Sequence, residues 1–252
     1  MEENRYLKKY GQNFLNNDYI SDVIVNSVSF KGQKILEIGP GDGALTSKLI
    51  KKNCDLTCVE IDKFYFEKLQ ANYPNLKILN QNALKIDFNL FDTIIGNIPY
   101  NITSSLFVKI ATISNNTKEI VFMTQKEAYE RIIECKDKSE RCAVSTLIAT
   151  KYNYKKIINV SKDNFVPKPK VDSTVFKLTT KSDSLITNFR DYYEFLLIIF
   201  NSKRKTILNN LIKKYNKEDV INVTSDLGLS TSLRPEDLST DQMIDLYLKL
   251  NK

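Results

Sequence analysis

An α/β domain built on a mostly parallel, doubly wound sheet, followed by a small all-α domain, is the fold this sequence predicts. Three observations predict it. Short apolar runs alternate with helix-like stretches over the first 180 residues. The first of those runs leads into a glycine cluster, Gly39-Pro40-Gly41-Asp42-Gly43. After about residue 181 the strand-like runs stop and apolar residues recur at helical spacing. Strands separated by helices imply βαβ units and therefore parallel pairing. The domain limits read as 1–180 and 181–252.

In chain order, strands are expected at 34–38, 56–61, 76–79, 93–95, 119–123 and 175–178, where apolar and β-branched residues cluster. Helices are expected between them, at about 18–28, 44–52, 64–72, 104–113 and 126–134. In the second domain one helix is expected over 189–214, with Phe195, Leu196, Ile199, Phe200, Ile207 and Leu211 on one face. Two shorter helices follow near 217–227 and 239–249. Ser239 with Gln242 three residues on has the form of a capping box, after the break at Arg234-Pro235.

Composition narrows the function classes. The net charge is +7, which favours a polyanionic partner such as nucleic acid or a membrane surface. No apolar run approaches the ~20 residues of a membrane span. Met1 to Tyr10 is charged and lacks the apolar stretch of a secretory signal. Cys54, Cys58, Cys135 and Cys142 show no Cys-x-x-Cys pairing, so reduced cysteines, no metal and a cytoplasmic location are expected. The chain contains no histidine, which excludes a histidine-based triad, a histidine-ligated zinc and an imidazole general base.

The glycine cluster follows a strand and opens a helix, an arrangement that lets backbone approach a ligand closely. Glu60 ends the next strand, 21 residues after Gly39. A carboxylate there can accept both hydroxyls of a ribose. The loop alone leaves three readings open. Gly39-x-Gly41-x-x-Ala44 satisfies a dinucleotide fingerprint; the extra Gly43 and the leading Glu37 lean toward S-adenosylmethionine; a structural turn is the third. Asn82, just past the third strand, reads either as a partner for an adenine ring or as a polar turn residue.

The fourth strand runs into Asn97-Ile98-Pro99-Tyr100, at the carboxyl end of the sheet where open α/β folds place ligands. An exocyclic adenine amine is a poor nucleophile because its lone pair is delocalised into the ring. The Asn97 side-chain oxygen and the Ile98 carbonyl can each accept one N–H and draw that lone pair out of the plane. Pro99 stiffens the turn, and Tyr100 offers a face for stacking. Phe165, in the run 164–173, is a candidate for the other side of the base pocket, and Lys168 and Lys170 beside it are candidates for phosphate contact. Lys203-Arg204-Lys205 and Lys213-Lys214 are further basic candidates; a solvated surface is the alternative for each cluster.

These residues resemble a known family, the KsgA-type ribosomal RNA adenine dimethyltransferases, with the Erm resistance methyltransferases as cousins. The resemblance rests on Gly11-Gln12-Asn13-Phe14-Leu15, the glycine loop, Asn97 through Ile102, Gln125-Lys126-Glu127, and residues 165–173, 203–211 and 233–239. It implies a Rossmann-like class I methyltransferase domain and a helical RNA-contacting domain. It implies S-adenosylmethionine held by Asn13, Leu15, Gly39, Gly41, Glu60, Ile61, Asn82, Ala83 and Asn97, and a target base between Tyr100 and Phe165. It implies dimethylation of two adjacent adenines near the 3′ end of small-subunit ribosomal RNA, within a pre-ribosomal particle, by a monomer. The family usually carries aspartate where this chain has Asn82; asparagine still offers an acceptor, so cofactor binding is expected to survive. Alternatives are an Erm-type enzyme acting on one large-subunit adenine, a DNA adenine methyltransferase, disfavoured by Ile98 where those enzymes carry a second proline, and a non-catalytic RNA-binding factor.

Overall fold

The structure is a computed structural model that describes residues 13–30, 33–113 and 116–251. Gly11 and Gln12 of the first motif, and the charged start Met1 to Tyr10, lie outside the described residues. The chain groups into two compact units.

The first unit is built on a seven-stranded sheet. Its strands are β2 (Lys34–Ile38), β3 (Asp55–Glu60), β4 (Lys77–Asn80), β5 (Thr93–Asn97), β6 (Glu119–Gln125), β7 (Tyr152–Val160) and β9 (Ser173–Thr180), in the spatial order β4-β3-β2-β5-β6-β9-β7. Strands β2 to β6 pair in parallel, and β9 runs antiparallel to β6. Helices α1 (Asp18–Asn26), α2 (Thr46–Leu49), α3 (Lys63–Asn72) and α4 (Thr103–Thr112) alternate with them. The central strands β2, β5 and β6 are buried along nearly their whole length, as expected of strands covered on both faces. A separate two-stranded ribbon pairs β1 (Phe14–Leu15) with β8 (Phe165–Val166), Leu15 opposite Phe165. The core draws on Ile24 and Val25 of α1 and on Ile35, Ile95, Val121 and Val175 of the sheet.

Local chemistry sets the helix starts. The Asn17 side chain accepts the Ile20 N–H and the Asp62 carboxylate accepts the Phe64 N–H, each satisfying a donor that has no partner within its helix. The helix expected over 44–52 is shorter: residues 41–45 form turns, and only Thr46–Leu49 is α-helical. The one expected over 126–134 is α-helical as α5 (Lys126–Tyr129) and widens to a π-turn over Glu130–Glu134.

The second unit contains α6 (Ala143–Lys151), α7 (Phe189–Ile199), α8 (Ile207–Leu211), α9 (Lys217–Asp226) and α10 (Thr240–Leu250). It is discontinuous in sequence, comprising Glu130–Tyr152 together with the chain from Lys181 on. The boundary read at 180/181 coincides with a unit limit, but the first unit is not continuous as expected: residues 130–152 pack with the C-terminal helices, α6 against α7. The single helix expected over 189–214 is also corrected. It breaks at 200–206, because the Thr206 side chain caps α8 through the Asn209 N–H and the buried Asn210 amide donates to the Ser202 carbonyl at 3.0 Å. The rings of Tyr192, Phe195 and Tyr247 form this unit's aromatic core, with centroids 5.1 to 6.2 Å apart. Lys151 is fully buried, its ammonium 4.8 Å from the Phe189 ring centroid, and burial pushes its pKa down to about 7. At α10 the Ser239 hydroxyl accepts the Gln242 N–H and the Gln242 side chain accepts the Ser239 N–H, completing the capping box.

Gly96 of β5 lies opposite Ile38 of β2, where a Cβ would stand 2.5 Å from the Ile38 carbonyl oxygen. That neighbour is backbone and cannot rotate away. Gly96→Ala is expected to lower stability by roughly 1–3 kcal/mol, read as a lower urea midpoint at unchanged slope. An unshifted midpoint would show that β2 and β5 tolerate the added methyl group.

Candidate active site

One cavity opens at the carboxyl ends of β2, β3 and β5 and is walled on another side by Asn13, Phe14 and Leu15. Central β2 has β3 on one side and β5 on the other, which makes its carboxyl end a switch point of the sheet.

The glycine loop forms one wall. Gly39, Gly41 and Gly43 all take positive φ (64°, 52° and 88°), which the loop's sharp turns require. A Cβ at Gly41 would come within 2.7 Å of the Phe14 ring, so this glycine serves both conformation and contact. The Gly41 N–H donates to Glu60 Oε2 at 3.0 Å, and the Asp62 N–H donates to Oε1 at 2.9 Å. Glu60 is 2 % exposed. Burial raises its pKa, while these backbone bonds oppose the rise. Each carboxylate oxygen keeps a second lone pair, a pattern suited to the two hydroxyls of a ribose. The Asn80 amide donates to the Glu60 carbonyl at 2.9 Å and fixes the end of β3.

Behind the loop Glu37 is buried and lines the same cavity. It accepts from the Thr46 hydroxyl at 2.8 Å and the Cys58 thiol at 3.4 Å. Burial, reinforced by the nearby charge of Glu60, pushes its pKa up to about 7. Cys58, a reduced and buried cysteine, is thus also a donor, and burial pushes its thiol well above the ordinary range.

The tetrapeptide forms the opposite wall. The Asn97 amide nitrogen donates to the Asn13 carbonyl at 3.0 Å, which orients the side chain and leaves Oδ1 as the acceptor. The Ile98 N–H extends the β5–β6 ladder by donating to Met123 O at 2.9 Å. The Pro99 carbonyl accepts from the Ile102 N–H at 3.2 Å and the Thr103 hydroxyl at 3.1 Å, which locks the turn. Tyr100 stands half-buried on the cavity wall, and burial raises its hydroxyl pKa.

Every residue that the family resemblance implies for the cofactor, from Asn13 to Asn97 and including Ile61 and Ala83, lines this cavity, as do Ile98, Pro99 and Tyr100. Two expectations change. Phe165 is 3 % exposed, belongs to the hydrophobic core and does not line the cavity. Its segment instead anchors the other wall: Phe165 pairs with Leu15, the Asn16 N–H donates to the Asn164 carbonyl at 2.8 Å, and the Asn17 amide donates to the Asn164 side chain at 2.7 Å. Asn82 caps a short 3₁₀ turn, its Oδ1 accepting the Leu84 N–H at 2.9 Å. A bond from an amine would be the second this oxygen accepts, and the amide nitrogen is the atom left to donate.

Of the basic candidates, Lys168 pairs with Asp163, whereas Lys170 makes no ion pair among the described residues. Lys203 donates to the Ser139 carbonyl at 3.0 Å, and Arg204 and Lys205 are exposed in the turn between α7 and α8. The sequence does not single out Phe14, which lines the cavity, or Thr46, which holds Glu37. Phe14 is legible by its position in Gly11 to Leu15; Thr46 carries no signal. Among the described residues no group of three or more His, Cys, Asp or Glu is placed to hold a metal, and no helix is long and apolar enough to cross a membrane.

A mostly parallel sheet with an antiparallel β9, a glycine loop answered by Glu60, and an acceptor turn after β5 define a class I methyltransferase. The family model for ribosomal RNA adenine dimethylase matches residues 3–252. The ribosomal RNA small subunit methyltransferase A of Malacoplasma penetrans is 39 % identical over 249 residues, covering 96 % of this chain and 90 % of the relative. A dimethyladenosine transferase from Plasmodium falciparum superposes with a TM-score of 0.82 at 29 % identity, covering 94 % of this chain and 97 % of that one. The 23S rRNA methyltransferase ErmE shares the fold, with a TM-score of 0.73 at 22 % identity over 95 % of this chain and all of its own. The chain belongs to the ribosomal RNA adenine dimethylase family.

Glu37 makes stability depend on pH. The folded chain holds its proton up to about 7, the unfolded chain only to its ordinary 4.5. Within that window the folded state binds more protons, so this group's contribution falls as pH rises and is lowest above about 7. The penalty is on the order of 3 kcal/mol. Glu37→Gln keeps an acceptor for Thr46. It is expected to raise the thermal midpoint above the parent's at pH 8 and to bring the two together near pH 4. An equal difference at both pH values would refute the assignment.

Proposed function

We propose that this methyltransferase moves methyl groups from S-adenosylmethionine to the N6 amines of two adjacent adenines near the 3′ end of small-subunit ribosomal RNA. The observation that carries the reading is the Asn97 amide held on the Asn13 carbonyl, which leaves Oδ1 free in the cavity that Glu60 and Tyr100 also line. The name of the Malacoplasma penetrans relative supports the small subunit over the Erm alternative, since the likeness to ErmE is one of fold.

The residues present fit the cofactor. Glu60 offers two oxygens, each with a spare lone pair, and Gly41, whose N–H fixes one of them, lets the Phe14 ring close on the loop where a Cβ would strike it. When bound, S-adenosylmethionine supplies an electrophilic methyl group on a sulfonium. Asn97 Oδ1 accepts one N–H of the adenine amine and the Ile98 carbonyl accepts the other. Both acceptors pull the nitrogen lone pair out of conjugation, and such preorganised dipoles need no rearrangement as charge develops. Tyr100 holds the base by its face. No strong base is required, because a methylated amine bearing positive charge releases its proton readily; a chain without histidine is adequate. On this reading the partner is ribosomal RNA in a pre-ribosomal particle, met by a cytoplasmic monomer. Lys170, Arg204 and Lys205, with Lys168 and Lys203 after exchange of their present partners, meet phosphates.

The direct test maps N6,N6-dimethyladenine in ribosomal RNA from cells with and without the gene; identical maps would overturn the proposal. Asn97→Ala is expected to cut transfer to unmethylated small subunits on the order of 100-fold while RNA binding stays near the parent's. Transfer at the parental rate would remove Asn97 from the mechanism. Replacing Lys203, Arg204 and Lys205 together by alanine should reduce the slope of log affinity against log salt by about 2–3; an unchanged slope would place RNA elsewhere.

A further inference from the structure

We propose that a groove adjoining the cofactor cavity is a stacking subsite for an unpaired nucleobase of the RNA substrate, the neighbour of the adenine being methylated. This rests on the RNA reading above and deepens it. The groove shares Phe14, Leu15, Asp42 and Ala44 with the cavity, so Phe14 is a wall common to both.

An aromatic ladder leads outward from that wall. The Phe14 ring centroid lies 4.9 Å from that of Tyr65, and Tyr65 lies 5.1 Å from Phe64, edge to face. Tyr65 is buried and fixes the ladder, while Phe64 is 54 % exposed. Val166, 58 % exposed, and Pro167, also exposed, line the same groove. Exposed apolar side chains scattered singly need no explanation, but three gathered along one groove beside a catalytic cavity do. The remaining walls are polar, with Asn16, Ser47 and the half-exposed Lys68, whose ammonium rests on Asp42.

Apolar faces bordered by polar groups match a nucleobase, which has a flat π-surface and a hydrogen-bonding rim. Stacking of this kind tolerates any base and suits a strand that must be held without being read. The chemistry gives the subsite a purpose. When two adjacent adenines are both substrates, the one not reacting has to leave its helical stack and be held close to the cavity mouth. A surface that shares the cavity's own wall does so for either adenine in turn. The protein's net charge of +7 draws a polyanion to the surface as a whole, while Asp18 and Asp42 beside Lys68 leave the groove itself to take the uncharged base rather than a phosphate.

The test uses the full chain and a short single-stranded RNA with two adjacent adenines, one replaced by fluorescent 2-aminopurine. Stacking in the groove is expected to quench the probe on binding. Phe64→Ala is expected to abolish the quenching and weaken the RNA roughly tenfold, within the range for loss of a base–aromatic stack. Phe64→Trp should restore both. Because Phe64 is exposed, the substitution leaves the core intact, and S-adenosylmethionine affinity by calorimetry should not change. On unmethylated small subunits Phe64→Ala should raise KM and leave kcat near the parent's. If Phe64→Ala quenches and binds like the parent while the parent still methylates, the subsite is wrong and the enzyme reading stands. If the parent binds no S-adenosylmethionine and transfers nothing, the enzyme reading itself is wrong.

Discussion

The site depends on the direction in which one amide faces. Asn97 ends β5, paired with Met123 of β6 and preceded by Gly96, which pairs with Ile38 of β2, so its backbone is placed by the sheet. Its side chain is placed from outside the sheet, by the carbonyl of Asn13. An unconstrained asparagine amide presents oxygen or nitrogen to a ligand with little preference. Here the nitrogen is engaged and the oxygen is what the cavity meets. Asn13 has that power because β1 is itself held, paired with β8 and tied to Asn164 by two further bonds. The buried Phe165 anchors this attachment in the core. A segment that pairs with β1 from about 150 residues further along the chain thus sets the direction of the Asn97 amide.

The same cavity concentrates negative charge. Glu37 and Glu60 are both buried; the charge of Glu60 adds to the cost of ionising Glu37, and that of Asp62 to the cost of ionising Glu60. Glu60 offsets its desolvation with backbone N–H donors from Gly41 and Asp62, whereas Glu37 is met chiefly by the Thr46 hydroxyl and the Cys58 thiol. Burial is the main cause of a Glu37 pKa of about 7, and these donors offset only part of it. Groups whose environments hold a pKa far from its ordinary value gather at functional sites, and Glu37, which lines this cavity, fits that rule.

Most of the sheet was legible because parallel strands buried on both faces read as uninterrupted apolar runs: Lys34–Ile38 and Glu119–Gln125 are examples. The site was legible where a residue type has few other uses, as with the positive-φ glycines and the Asn97 turn. What escaped has physical reasons. β1 and β8 are two residues each, too short for any periodicity to register. Residues 130–152 fold with helices that begin 37 residues further on, at Phe189, and no local pattern announces a long-range partner. Phe165 was expected at the base because a phenylalanine near a basic loop suits stacking, yet its backbone pairing with Leu15 turns the ring into the core. The helix over 189–214 kept its apolar spacing across a break, since Ile207 and Leu211 are buried as a continuous helix would have them. The interruption comes from capping by Thr206 and Asn210, which hydrophobic periodicity does not report.

That break also explains how Lys203, Arg204 and Lys205 are displayed. In a continuous helix three consecutive residues would point in three directions about 100° apart, and at least one would face the helix's packed side. In the turn all three are exposed. The turn is held from beneath by Asn210, which has no solvent exposure, through Ser202. It is also tied by the Lys205 N–H bonding to Ser202 O at 3.1 Å. The charges therefore project from a fixed backbone, so contact with an anion would cost side-chain freedom but little backbone freedom.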